Sequence, residues 1–115
     1  MVLLIGGPSA TGKSTLAEAL ARRYDARYLD SDLFYIAFRK VVPAESAPVG
    51  LHAQDEAFWA RPPDELVRDY LALQAYMCQA LEVVVAQHCR AGQRVVMEGA
   101  WLLPAFVKQG VYDDR

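Results

Sequence analysis

The chain has 115 residues, 54% hydrophobic and 23% charged, an ordinary globular balance with room for one small domain and one core. Its net charge of −2, with no basic run and no interleaving of aromatic with basic residues, excludes a general nucleic-acid surface. No segment approaches the roughly 20 apolar residues of a spanning helix, and the opening MVLLIGG lacks the basic flank and apolar length of a secretion signal, so a soluble cytoplasmic protein without a membrane partner is expected.

VLLIGG (2–7) is an unbroken apolar run closed by glycines, which predicts a strand covered on both faces, as in parallel sheets. TGKSTLAEALARRY (11–24) predicts a helix. Leu16, Ala17, Leu20, Ala21 and Tyr24 form its inward face, and Glu18, Arg22 and Arg23 its outward one. ARYLDSD (26–32) predicts a second short strand ending in carboxylates. LFYIAFRKV (33–41) reads as a helix with a mixed face, and 42–54, with Pro43, Pro48 and Gly50, as a loop.

Pro62 and Pro63, followed by Asp64 and Glu65, mark a helix start. That helix is predicted to run to about Arg90, with Leu66, Tyr70, Leu73, Met77, Leu81 and Val84 as a buried stripe of plain core packing. Cys78 and Cys89 both fall on it, about 16 Å apart at 1.5 Å per residue. That is beyond disulfide reach, so two buried free thiols are expected. With only His52 and His88 to join them, no metal-ligand spacing arises. Gly92 stands where a left-handed cap is wanted. RVVMEG (94–99) predicts a third apolar strand, and AWLLPAFVKQG (100–110) leads away into a short helix. Trp59 and Trp101 read as packing residues. The order β-α-β-loop-α-β predicts an α/β layer with a parallel sheet and right-handed crossovers.

Between the first strand and first helix, Gly7 is followed after four residues by Gly12-Lys13-Ser14, the pattern G-x-x-x-x-G-K-[ST] of a phosphate-cradling loop. Each residue type has a physical task there. The loop must curl so that successive backbone N–H groups, those of Ser9, Ala10 and Thr11 among them, point inward at an anion. Gly7 and Gly12 permit the dihedrals and keep Cβ atoms away from the phosphates. The helix from Lys13 presents the positive end of its dipole. Lys13 is a mobile point charge for the β- and γ-phosphates. Ser14 offers a hydroxyl to Mg²⁺, and Thr15 adds a contact to the α-phosphate.

Asp30 and Asp32 close the second strand, on the rim where ligands of an open parallel sheet bind. Asp32 is expected as the base or acceptor-orienting group and Asp30 as the Mg²⁺-side group, and the two roles are exchangeable. A turn or helix cap before LFYIAF is the competing structural use of one of them. Glu98, ending the third strand, is expected to support Mg²⁺ or bind substrate, against a role as a cap or surface acid. Arg39 and Lys40 are candidates for an anionic acceptor, against a solvated surface role.

Together, GGPSATGKSTLA, LDSD and VVMEGAWLLP resemble the P-loop small-molecule kinases, and within them the 2-phosphoglycerate kinase-type branch; shikimate and zeta-toxin-like kinases share the first two features. The resemblance implies a three-layer P-loop NTPase fold, α/β with a parallel sheet as in adenylate and shikimate kinases. It implies nucleotide binding by Gly7, Gly12, Lys13, Ser14 and Thr15, acceptor-side roles for Asp30 or Asp32, and a lesser one for Glu98. Trp101 stands where that branch often has a histidine. Such kinases have five strands in the order 2-3-1-4-5 and an arginine-bearing lid, whereas three strands are legible here. The expectation is therefore a kinase core over 1–115 that is incomplete at its C-terminus, a piece or split product of a larger kinase.

The expected function is transfer of the γ-phosphate of Mg·ATP to a hydroxyl of a small, anionic metabolite. The alternatives are a nucleotide hydrolase, for which no water-positioning glutamine is evident, and a non-catalytic nucleotide-binding module. Such a module would complete its sheet as a homodimer or with a further C-terminal part.

Overall fold

The computed structural model describes residues 1–112. Three apolar runs become one parallel sheet: β1 (Val2–Gly6), β2 (Arg27–Asp30) and β3 (Val95–Gly99), in the order β1-β3-β2. The last strand in sequence is the central one. All five residues of VVMEG are buried, whereas β1 and β2 are mostly half-buried. β3 has a strand on either side, and β1 pairs with β3 alone among the described residues. This order agrees with the part of 2-3-1-4-5 that the chain contains. Glu98 faces Ile5 on one side and Asp30 on the other in the register.

The described residues group into two compact units: Met1–Asp32 with the chain from Cys78 on, and Leu33–Met77. In the first, helix α1 (Lys13–Arg23) lies on the sheet. Its Ala17 and Ala21 are buried against Val96, ringed by Leu3, Ile5, Leu20, Ala26 and Tyr28. The expected helix face is shifted. Leu16 and Tyr24 are 50% and 41% exposed, because the two small alanines make the contact, Leu16 lies about 100° from Ala17 around the axis, and Tyr24 is already past the helix end.

In the second unit, α2 (Asp32–Val41) leads into two short 3₁₀ turns, Ala44–Ser46 and Val49–Leu51, where a plain loop was expected, and then into α3 (Glu56–Trp59). Asp55 caps α3 by accepting from the Phe58 N–H at 2.9 Å. Arg61 pairs with Asp69 at 2.6 Å and Glu65 at 3.2 Å. Trp59, read as a packing residue, is 56% exposed; its ring stands edge-on to Phe58.

Helix α4 (Pro63–Arg90) runs as predicted, and Gly92 follows at φ 64°. Leu73, Met77 and Leu81 of the predicted stripe are buried, and Val85 takes the place of Val84 at the end of the row. Steps of four residues advance the row by about 40° each. The buried line therefore winds around the helix, leaving Leu66, Tyr70 and Val84 on its margins. The cysteines follow the same winding: Cys78 is half-buried and Cys89 exposed, so neither is the fully buried thiol expected. After β3 the chain forms α5 (Pro104–Val107), and no helix among the described residues is long and apolar enough to cross a membrane.

Candidate functional site

Residues 7–12 turn the chain from β1 into α1. Gly7 and Gly12 take φ 149° and 82° within this turn, and Ala10 takes φ 62°, a left-handed conformation that a residue with a Cβ adopts only at a cost of about 1–2 kcal/mol. Gly12 is the N-cap of α1 and supplies no side-chain cap, and no acidic residue stands in the first helical turn. The first-turn N–H donors therefore lack the side-chain acceptor that most helix starts provide, and the positive helix end is left for an external anion. Thr11 Oγ1 donates to the Pro8 carbonyl at 2.8 Å, and the Lys13 ammonium donates to the same oxygen at 3.2 Å. Lys13 is thus folded back over its own loop on one contact. Ser9, Ala10, Thr11 and Thr15 are exposed.

Behind the loop stands Glu98, only 3% exposed. Its Oε1 accepts from Ser14 Oγ and from the Tyr28 phenol, each at 2.7 Å. Glu98 is therefore neither a surface acid nor a helix cap. It ties β3 to the first turn of α1 and to β2.

Asp30 Oδ1 accepts the Asp32 backbone N–H at 2.9 Å, so Asp30 spends one oxygen on the turn that starts α2, the structural use anticipated for one of the pair. Asp32 opens α2. Its carboxylate accepts from the Trp101 side chain and is raised above the usual carboxylate range. Partial burial is the main cause, then the charges of Asp30 and Glu98, with Lys13 and Trp101 opposing. Burial first, and then the hydrogen bond to Glu98, push the Tyr28 phenol up to about 12, so it keeps its proton.

Ser31, between the aspartates, is fully buried, and its hydroxyl has no hydrogen-bond partner among the described residues. It lies against Gly99, at φ 154°, where a Cβ would fall 1.7 Å from Ser31 Oγ. Only glycine fits there.

The fold thus gathers Lys13, Ser14, Asp30, Asp32 and Glu98 at one end of the sheet. Arg39 lies in the second unit on α2, exposed, with its guanidinium 5.6 Å from the Tyr35 ring. Sequence reasoning missed the roles of Tyr28, Ser31 and Gly99, and it read Trp101 as packing at a position where the resembled branch often has a histidine. Tyr28 sits two residues before Asp30, hence on the same strand face, but only the strand order puts it beside Glu98. Ser14, Asp30, Asp32 and Glu98 offer oxygen donors alone, the hard set that suits Mg²⁺. With its proton given to Glu98, the Ser14 oxygen keeps both lone pairs for a cation. Among the described residues no group of three or more His, Cys, Asp or Glu could hold a metal by itself.

Residues 3–64 match the family model described as Cytidylate kinase. The chain is 25% identical over 114 residues to a 2-phosphoglycerate kinase of Pyrococcus horikoshii, covering 94% of this chain and 38% of that protein. It is 36% identical over 88 residues to a cytidylate kinase of Rhodopseudomonas palustris, covering 76% and 41%. It is 39% identical over 98 residues to a cytidylate kinase of Xanthobacter autotrophicus, covering 84% and 45%. The chain thus spans about two fifths of the length of these curated relatives. No solved structure matches it.

Proposed function

The chain belongs to the cytidylate kinase family, and from that premise we propose that it serves transfer of the γ-phosphoryl group of ATP, bound with Mg²⁺, to an oxygen of a small anionic acceptor. The observation that carries the reading is the side-chain-uncapped start of α1 beside Lys13, with Ser14 held on Glu98 at 2.7 Å. The loop N–H groups from Ser9 to Gly12 and the helix start receive the phosphates. Lys13 leaves the Pro8 carbonyl to neutralise the transferred group. Ser14, with Asp30 and Glu98 nearby, would hold Mg²⁺, which would supply charge neutralisation for the transferred phosphoryl group. Asp32 orients the acceptor. Such transfer depends on placement more than on covalent help from the protein.

The relatives are named for cytidylate and for 2-phosphoglycerate. Both compounds carry a phosphate, which favours a phosphorylated acceptor here. ADP formation from Mg·ATP, measured with cytidylate, with 2-phosphoglycerate and with water alone, tests this. Acceptor-dependent ADP that falls about 100-fold or more in Lys13→Ala is expected; equal ADP without acceptor would replace the reading by hydrolysis.

One observation favours a second reading, a module that pairs with another polypeptide. β1 has a strand neighbour on one side only among the described residues, and an open edge accepts a further strand. Light scattering would show a dimer if the added strand comes from a second copy.

A further inference from the structure

We infer that Tyr28 is a positioning residue for magnesium binding: through Glu98 it fixes the Ser14 hydroxyl so that the serine lone pairs face the cation. The inference rests on the phosphotransferase reading above. Two O–H donors converge on one oxygen, Glu98 Oε1, each at 2.7 Å, one from β2 and one from α1. Glu98 is 3% exposed, so water cannot replace a missing donor cheaply.

Ser14 has a single proton. While that proton is committed to Glu98, nothing but lone pairs is left for a ligand. Without Tyr28, Ser14 would be the one remaining donor on Glu98 Oε1 among the described residues. The carboxylate, pushed by the charges of Asp30 and Asp32, would be free to swing and carry the Ser14 proton with it, so that the serine lone pairs no longer keep a fixed direction toward the cation. The type of residue matters too. A lysine or arginine in place of Tyr28 would hold Glu98 equally well but would cancel the negative charge that attracts a cation. A phenol holds it and adds no charge.

Tyr28 also packs among the residues around Ala17 and Ala21, so the test must separate holding from packing. Tyr28→Phe keeps the ring and removes only the hydroxyl. Leu20→Val thins the same cluster without touching Glu98. Each full-length variant is titrated with MgCl₂ in the presence of a non-hydrolysable ATP analogue. Thermal stabilisation is the readout, and analogue affinity in EDTA is the reference. Tyr28→Phe is expected to raise the magnesium midpoint about 10-fold with metal-free affinity near that of the wild type, while Leu20→Val lowers the melting temperature and leaves the midpoint in place. A Tyr28→Phe midpoint within about twofold of the wild type overturns the inference and leaves the phosphotransferase reading standing. An equal shift in Leu20→Val also overturns it, since packing alone would then explain the effect. A wild type without magnesium-dependent stabilisation removes the phosphotransferase reading, and the role of Tyr28 goes with it.

Discussion

Ser14 Oγ lies 2.7 Å from Glu98 Oε1, joining the first turn of α1 to the penultimate residue of β3 across 84 positions of sequence. Glu98→Gln keeps the shape of this joint but weakens the acceptor. The weaker hydrogen bonds are offset by relief from burying a charge near Asp30 and Asp32, so stability should change by about 1 kcal/mol or less. Function should not be spared. Magnesium-dependent nucleotide binding, read by calorimetry, is expected to weaken about 10- to 100-fold.

Asp32 gives a pH signature. Its carboxyl is raised by burial and by the neighbouring acids, so the folded state binds this proton more tightly than the unfolded chain. Stability from this group is fully present below the unfolded value, near about 4, and is lost as pH climbs through the folded value. Asp32→Asn has no such loss. Urea midpoints between pH 4 and pH 7 should therefore decline less in the variant than in the wild type, within the window just above the ordinary carboxylate range.

Gly99→Ala tests the contact between β3 and the aspartate turn. The added methyl would meet Ser31 Oγ at 1.7 Å on a backbone at φ 154°. Overpacking and an unfavourable dihedral together should cost about 2–4 kcal/mol in chemical denaturation. Removing the obstacle with Ser31→Gly in the same chain should recover part of that loss, and the double-mutant cycle should show coupling.

The thiols should differ in reactivity. Cys89 is exposed. Cys78 is half-buried, its thiol donates to the Trp101 carbonyl at 3.5 Å, and burial, then the Glu82 carboxylate, push its pKa up. Thiolate is the reactive form, so iodoacetamide followed by peptide mass spectrometry should find Cys89 modified well before Cys78.

Features that depend on neighbours along the chain are legible in the amino-acid sequence itself. The strands at 2–6, 27–30 and 95–99, the helix from Lys13, the long helix to Arg90 and the glycine after it all stand where composition and turn chemistry put them. The phosphate loop is readable because its spacing is local. Errors arise where a three-dimensional partner decides. Leu16 and Tyr24 look like core residues until the alanines between them are seen to make the contact with the sheet. Val84 loses its place to Val85 because the buried line winds. Tyr28 and Ser31 acquire meaning only from β3, which neither residue's own surroundings in sequence could announce.

The sheet order has a consequence for how the molecule comes into being. β1 and β2 are made first, yet they do not pair with each other; each waits for residues 95–99 to slide between them. A ribosome would release the glycine-rich turn and the aspartates long before their shared wall exists. Assembly must close loops spanning most of the chain in a late, cooperative event, slow by the measure of contact order. Nascent chains arrested before Val95 should carry the whole turn from Gly7 to Thr15 and still grip no nucleotide.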